Sequence, residues 1–175
     1  SATFKVAVPS DFLNEETEYT SRHMYAVYPA SIELDYSTAS SLYVTVPDVQ
    51  DGTFANASIA LAKWYYGKPL AFKNLCGLLQ VVVEDSAVRK IVLEASENIA
   101  GKVDVGKFDS GIVKVNNVKE GKKSITVNVN GAGTYYVAVL PGELSDVYVE
   151  LFDANNKCIG DRKAENVIPV VRKQV

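Results

Sequence analysis

Histidine and cysteine are scarce in this 175-residue sequence, which has one histidine, His23, and two cysteines, Cys76 and Cys158. Zinc sites need clusters of histidine and cysteine ligands, and the sequence has no CxxC pair. A Ser-His-Asp or Cys-His arrangement would have to use His23, which follows Arg22 in a polar segment. The P-loop, GxGxxG and GxSxG motifs are absent as well. We therefore expect a non-enzymatic protein that uses no metal and no cofactor.

The two cysteines lie far apart in the sequence, so their spacing does not decide whether they pair. An unpaired cysteine behaves as a small hydrophobic residue, and on that ground we expect two buried free thiols. A disulfide between Cys76 and Cys158 stays open as the alternative.

No strong charge imbalance and no long apolar run occurs. Lysine and arginine number 18 against 21 aspartates and glutamates, which gives a net charge of -3 and no basic footprint for nucleic acid. No run approaches the ~18 apolar residues that a membrane-spanning helix needs. Because 47% of the residues are hydrophobic and 22% are charged, the chain has the composition of a folded protein. We expect residues 1–175 to form one domain, with residues 1–23 peripheral to it.

The side chains that are abundant are those that favour strands. Valine outnumbers leucine by 26 to 12, and Val, Ile, Thr, Tyr, Phe and Trp together make up 59 of the 175 residues. About ten to twelve short apolar segments recur at roughly 8–12-residue spacing, which is typical of a β-sandwich or barrel. The sequence therefore predicts an all-β fold with one short helix or helical turn.

Three local patterns give sharper predictions. Leu70–Gly77 has apolar residues at helical spacing and a terminal glycine, which predicts the helical turn. Leu78–Glu84 is a nearly continuous apolar run of strand length, which predicts a strand buried on both faces. The dipeptide Asn130-Gly131 separates two alternating segments, 125–129 and 135–140, and predicts a β-hairpin.

Aromatic residues cluster in two of the predicted strands and suggest a contact surface. Tyr43, Trp64, Tyr65 and Tyr66 could stack against sugar rings, which would make the chain a surface glycan-binding module. The alternative is that these aromatics are core residues and cross-strand pairs, as is common in β-proteins.

An ordered set of motifs resembles the N-terminal domain of the Bacteroidetes fimbrillin-like family, the subunits of pili and surface adhesins. The likeness extends over about residues 24–153. The motifs are Tyr25–Pro29 (YAVYP), Val46–Gln50 (VPDVQ), Leu70–Leu79 (LAFKNLCGLL), Ile91–Leu93 followed by Ile99–Gly101, and Tyr135–Pro141 (YYVAVLP).

The resemblance implies a transthyretin-like β-sandwich, export as a lipoprotein, and display at the outer membrane surface or in a fimbrium. It implies assembly with other fimbrial subunits, as a homo- or hetero-polymer, by strand exchange, and attachment to host or bacterial surface receptors. Membrane contact would occur only through an N-terminal lipid anchor that this chain does not include. A second domain, also outside this chain, is expected in the longer protein.

Two residues acquire roles from the same resemblance. Family members are processed by an arginine-specific protease, and Arg22, in the polar stretch after the first predicted strand, is the candidate processing site. Asp85-Ser86-Ala87 is similar to the O-glycosylation pattern of this bacterial group, which makes Ser86 a candidate acceptor.

Overall fold

The structure, a computed structural model, describes residues 23–35, 42–65, 68–106 and 113–172. These ranges contain sixteen short strands and one four-residue helix, which confirms the predicted all-β class. The strands are β1 (His23–Tyr28), β2 (Leu34–Asp35), β3 (Tyr43–Val46), β4 (Val49–Gln50), β5 (Ala60–Tyr65), β6 (Lys73–Asn74), β7 (Gly77–Val83), β8 (Lys90–Glu94), β9 (Ala100–Asp104), β10 (Asn117–Lys122), β11 (Ser124–Asn128), β12 (Gly133–Val139), β13 (Gly142–Leu144), β14 (Tyr148–Phe152), β15 (Cys158–Lys163) and β16 (Ile168–Val170), and the helix is α1 (Phe54–Ala57).

The largest sheet has five strands in the order β15-β14-β8-β11-β4. Its pairs are antiparallel except for β11 and β4, which run parallel. Ile125 and Val127 of β11 are fully buried, whereas Thr126 between them is half-buried. This alternation follows from the two-residue period of a strand and fixes which face of the sheet meets the core.

A short stretch after β4 connects this sheet to the β12–β7 pair. The backbone N–H of Tyr136 on β12 donates to the carbonyl of Gly52 at 2.8 Å. The carboxamide of Gln50 then takes the place of a strand: its Oε1 accepts from the N–H of Ala138 at 2.9 Å and its Nε2 donates to the carbonyl of Ala138 at 2.9 Å. Hydrogen bonding therefore continues from β4 across to β12.

The remaining strands form a four-stranded sheet in the order β10-β9-β3-β2, a three-stranded sheet β1-β5-β6, and the β13–β16 pair. Buried side chains from all of these sheets join one apolar cluster, and no polar or charged residue is buried within the described ranges. The arrangement is that of a β-sandwich with a wholly apolar core. The transthyretin-like topology that the resemblance implies stays a prediction.

The short helix lies at Phe54–Ala57, so its predicted position at Leu70–Gly77 is wrong. Thr53 caps the helix, since its hydroxyl accepts from the N–H of Asn56 at 3.4 Å. In the predicted region the chain is extended instead. Lys73 pairs with Leu61 of β5, which gives the backbone a sheet partner that the helical spacing could not reveal.

The predicted hairpin at Asn130-Gly131 is also wrong, because the strands on either side of that turn have other partners. β11 lies between β8 and β4, and β12 pairs with β7. The turn itself exists: Gly131 adopts a φ of 88°, and its N–H donates to the carbonyl of Val88. The Tyr135 hydroxyl accepts from the Asn130 N–H at 3.1 Å and donates to the Gly131 carbonyl at 2.9 Å. The turn therefore carries the chain from one strand pair to another.

Candidate functional site: the open edge of strand β7

Within the described ranges, strand β7 is the last strand of its sheet, and its hydrogen-bonding pattern shows which groups face outward. On β12, Tyr136 and Ala138 direct their N–H groups toward residues 50–52, away from β7. The alternate residues of β12 therefore bond to β7, and their partners on β7 are Gly77, Leu79 and Val81. It follows that the residues between them turn their N–H and C=O groups outward. We call these residues, Leu78, Gln80 and Val82, the β7 edge.

The outward-facing groups of the β7 edge pair with no other strand among the residues that the structure describes. Their side chains lie together on one sheet face and are exposed, with Leu78 at 37% and Val82 at 66% of full exposure. The prediction that Leu78–Glu84 is buried on both faces is therefore wrong. Gly77 and Val83 are buried, but the strand stands at the margin of the sheet.

The apolar surface continues onto the neighbouring strand. Tyr136 lies opposite Gln80 on β12, and its ring meets that of Phe54 edge-on, with centroids 5.2 Å apart. Phe54, which α1 places there, is 59% exposed. Sequence patterns did not single out Phe54, since its exposure depends on the position of the four-residue helix.

Two other strands that end their sheets, β10 and β15, carry features that discourage pairing. β10 and β15 both contain a β-bulge, at Lys119 and Ile159 respectively, and both carry several charged side chains. Such bulges and charges are the usual protection of a free edge. β1 also lacks acidic and basic residues between Met24 and Tyr28, but its side chains from Met24 to Val27 are half-buried. β7 combines an uncharged sequence with large exposed apolar side chains.

Each end of the β7 edge is marked by a charged group. At the start of the strand, the guanidinium Nε of Arg172 donates to the carbonyl of Leu75 at 2.9 Å. At the other end, the exposed residues Glu84 and Asp85 follow the strand directly. The edge therefore runs from a basic end to an acidic end, with Gln80 in its centre.

The predicted aromatic surface is not assembled by the described residues. Tyr43 on β3 is 5% exposed, because its ring packs beneath Lys119, whose Nζ lies 4.2 Å from the ring centroid. This corrects its assignment as a contact residue. Trp64 is half-buried on β5, in a different sheet, opposite Met24. Tyr65 is the last residue of β5, and its side chain lies outside the described residues, as does the whole of Tyr66.

The other predicted positions have separate locations. Arg22 lies outside the described residues. Ser86 is exposed in the turn that follows β7, so its hydroxyl is accessible, and its modification stays a prediction. Cys76 and Cys158 are both free thiols, so the disulfide alternative is wrong. Cys76 is buried as expected, and burial raises the pKa of its thiol to about 12, whereas Cys158 is exposed on β15.

Two carboxylates with lowered pKa values, Glu97 and Asp146, bond to residues of other loops and strands. Glu97 accepts from the N–H of Ser145 at 2.8 Å and from its hydroxyl at 2.5 Å, and these bonds lower the pKa of the Glu97 carboxyl. Asp146 bonds to Lys163 at 2.8 Å and to Ser96, which lowers its pKa as well. Within the described ranges, no three potential metal ligands of the His, Cys, Asp or Glu type come together.

A second concave region lies beside β4. This cleft of about 500 Å³ has a mostly apolar lining surface, to which Ile32, Pro47, Val49 and Ala57 contribute, together with several polar residues. Asp51 accepts from Nδ2 of Asn56 at 2.6 Å and from the N–H of Thr53 at 2.9 Å, so much of its hydrogen-bonding capacity is used within the loop. The other polar residues that line the cleft include Ser31, Glu33, Thr45 and Asn128.

Comparison with protein families, curated proteins and solved structures finds no match to this chain. Among the described residues, no helix has the length and apolar character required to cross a bilayer. The features of the chain that bear on function are therefore the β7 edge and the ordered motifs of the sequence.

Proposed function

We propose that this chain is a non-enzymatic subunit or adhesin of a cell-surface fimbria and that it assembles with other subunits by adding a strand at the β7 edge. The observation that carries the proposal is the uncharged, open edge formed by Leu78, Gln80 and Val82. The fimbrillin-like motifs support it, because strand exchange is how that family polymerises. The proposed location is the outer membrane surface.

The physical basis of assembly would be β-augmentation. An incoming extended segment bonds to the outward N–H and C=O groups of Leu78, Gln80 and Val82, each bond contributing about 0.5–1.5 kcal/mol net. Its alternate side chains cover Leu78 and Val82, which are exposed in the single chain. Burying this apolar surface stabilises the complex. Main-chain bonds would give the affinity, and the apolar side chains beside Gln80 would select the register.

A proline at position 80 tests this mechanism. The N–H of Gln80 points away from β12, so Gln80→Pro removes one outward donor and keeps the bonds to β12. The matched control is Gln80→Ala, which removes the same side chain and keeps the donor. After treatment of the full chain with an arginine-specific protease, we expect wild type and Gln80→Ala to form heat-labile ladders and filaments in electron micrographs.

The Gln80→Pro variant should stay unassembled under the same conditions. Circular dichroism and thermal unfolding establish that it is folded before the comparison is made. If folded Gln80→Pro polymerises at the wild-type rate, the β7 edge is not the site of strand addition.

The cleft beside β4 favours a second candidate, a surface glycan-binding module. Glu33 and Asn128 offer a carboxylate and an amide to sugar hydroxyls, and Val49 offers an apolar contact. Calorimetric titration with host and dietary polysaccharides tests it, with Asn128→Ala as the variant that should weaken binding. Absence of heat at millimolar sugar, or equal binding by Asn128→Ala, removes this candidate.

A further inference from the structure

The sequence of β7 is nearly symmetric about its central residue. Gln80 is flanked by Leu79 and Val81, and these by Leu78 and Val82. When two copies of such a strand run antiparallel with the two Gln80 residues opposite each other, every other pair places an aliphatic side chain against an aliphatic side chain. The strand is therefore complementary to itself.

The backbone selects this register. Only Leu78, Gln80 and Val82 present outward N–H and C=O groups, so hydrogen-bonded pairs between two copies must form among these residues. With Gln80 opposite Gln80, Leu78 of each copy meets Val82 of the other, and the two carboxamides face each other. A slip to the next permitted register would place Leu78 opposite Gln80 and leave Val82 without a bonded partner.

The charges at the two ends agree with the same arrangement. Extending the central register along the chain brings Leu75 of one copy opposite Asp85 of the other. Arg172 binds the Leu75 carbonyl, so its guanidinium would lie next to the acidic pair Glu84 and Asp85 of the second copy. Because the axis is two-fold, this contact occurs twice.

We propose that two copies of this chain form a symmetric dimer through antiparallel pairing of their β7 edges, centred on Gln80. The pairing buries Leu78 and Val82, which are exposed in the single chain. It also covers the groups that strand addition would use, so the dimer keeps unassembled subunits from acquiring wrong partners. The proposal extends beyond fimbrial assembly and does not require it.

The dimer should be weak. Two short strand edges bury less than the ~1,200 Å² of a standard interface, so we expect a Kd on the order of 10–100 µM. Sedimentation velocity over a concentration series should show a monomer–dimer equilibrium for the full chain. Val82→Lys, which places a charge opposite Leu78 of the second copy, should weaken the dimer about tenfold or more. Ile159→Lys on the bulged edge β15 is the matched control and should leave the equilibrium unchanged.

Cysteine cross-linking tests the register independently of affinity. A hydrogen-bonded antiparallel pair has Cα atoms ~5.5 Å apart, within disulfide range. In a Cys158→Ser background, Gln80→Cys should form a disulfide-linked dimer under mild oxidation. Leu78→Cys and Val82→Cys should each fail to cross-link alone and should cross-link when mixed. Cross-linking of Leu78→Cys with itself would overturn the register.

The result that overturns the dimer is a chain that stays monomeric up to about 1 mM, tenfold above the weakest expected Kd. A dimer that Val82→Lys leaves intact overturns it too. These outcomes are distinct from failure of the proposed function. A monomeric chain that polymerises after proteolysis refutes only the dimer, and a dimer that never polymerises refutes only the fimbrial role.

Discussion

Replacing Gln50 with alanine should destabilise the protein far more than its half-exposed position suggests. The carboxamide makes three hydrogen bonds to the backbone: Nε2 donates to the carbonyls of Pro47 at 3.0 Å and Ala138 at 2.9 Å, and Oε1 accepts from the Ala138 N–H at 2.9 Å. Ala138 is fully buried, so its N–H and C=O would lose their only partners on that side. Gln50 thus acts as a strand segment between β4 and β12.

The magnitude follows from those bonds. At about 1 kcal/mol net for each of three hydrogen bonds, Gln50→Ala should lower the free energy of unfolding by about 3 kcal/mol. For a chain of this length, that loss corresponds to a decrease in Tm of about 6–12 °C. Gln50→Glu should also destabilise the protein at neutral pH, since a carboxylate cannot donate to the carbonyls of Pro47 and Ala138. Lowering the pH should restore part of its stability, because the protonated carboxyl regains a donor.

Urea unfolding followed by circular dichroism measures both variants. Asn128→Ala on neighbouring β11 is the control, since this exposed side chain makes no hydrogen bond within the described part of the chain, and its effect should stay within about 0.5 kcal/mol. A loss of less than about 1 kcal/mol for Gln50→Ala would refute the role of the carboxamide as a strand substitute, because that is the value of a single ordinary hydrogen bond.

Three further predictions concern other parts of the fold. Gly101→Ala should prevent stable folding, since Gly101 has a φ of 112° and an added Cβ would lie 2.0 Å from a backbone oxygen of β10; expression and thermal unfolding test this. In the native protein, a thiol reagent should modify Cys158 rapidly and Cys76 only after unfolding, as mass spectrometry of the labelled peptides would show. Because the pKa of Glu97 is lowered in the folded protein, its carboxylate contributes stability at pH values above the ordinary pKa of 4.5, and this contribution is lost as the pH falls through the lowered pKa. Glu97→Gln should therefore make the free energy of unfolding less dependent on pH in the acid range.

Each of these predictions has a contrary outcome. A soluble Gly101→Ala protein with wild-type Tm would mean that β9 and β10 separate readily at that point. Equal labelling rates for the two thiols would contradict the burial of Cys76. A pH dependence in the acid range that Glu97→Gln leaves unchanged would mean that the bonds to Ser145 do not persist in solution.

The sequence was sufficient to predict the strand-rich class and the inward faces of several strands, because alternation is a local property. Ile125 and Val127 are buried as their spacing indicates. Strand partners are a different matter, since pairing joins residues distant in the chain. The Asn130-Gly131 turn forms, yet β11 and β12 pair with other strands, and no local signal carries that information.

The candidate site was missed for a related reason. A run of aliphatic residues such as that in β7 suits a central strand and an edge strand equally well, and such runs are more commonly interpreted as buried central strands. Only Gln80, a polar residue in the middle of the run, hinted that one face meets solvent. The position of the helix was equally hidden, because the cap at Thr53 is a single hydroxyl–amide bond.

The unequal protection of the strand edges limits how far the chain can associate by pairing one edge with another. With β15 bulged and charged, the extended surface from β15 to β7 has one strand edge open to pairing among the described residues, which is a valence of one. By edge pairing alone, a particle of valence one can form pairs, or receive a single guest segment, but it cannot grow into an unlimited ribbon. Lysine side chains introduced at Val82 would reduce that valence to zero, and removal of the charges from β15 would raise it to two, the condition for fibrous aggregation.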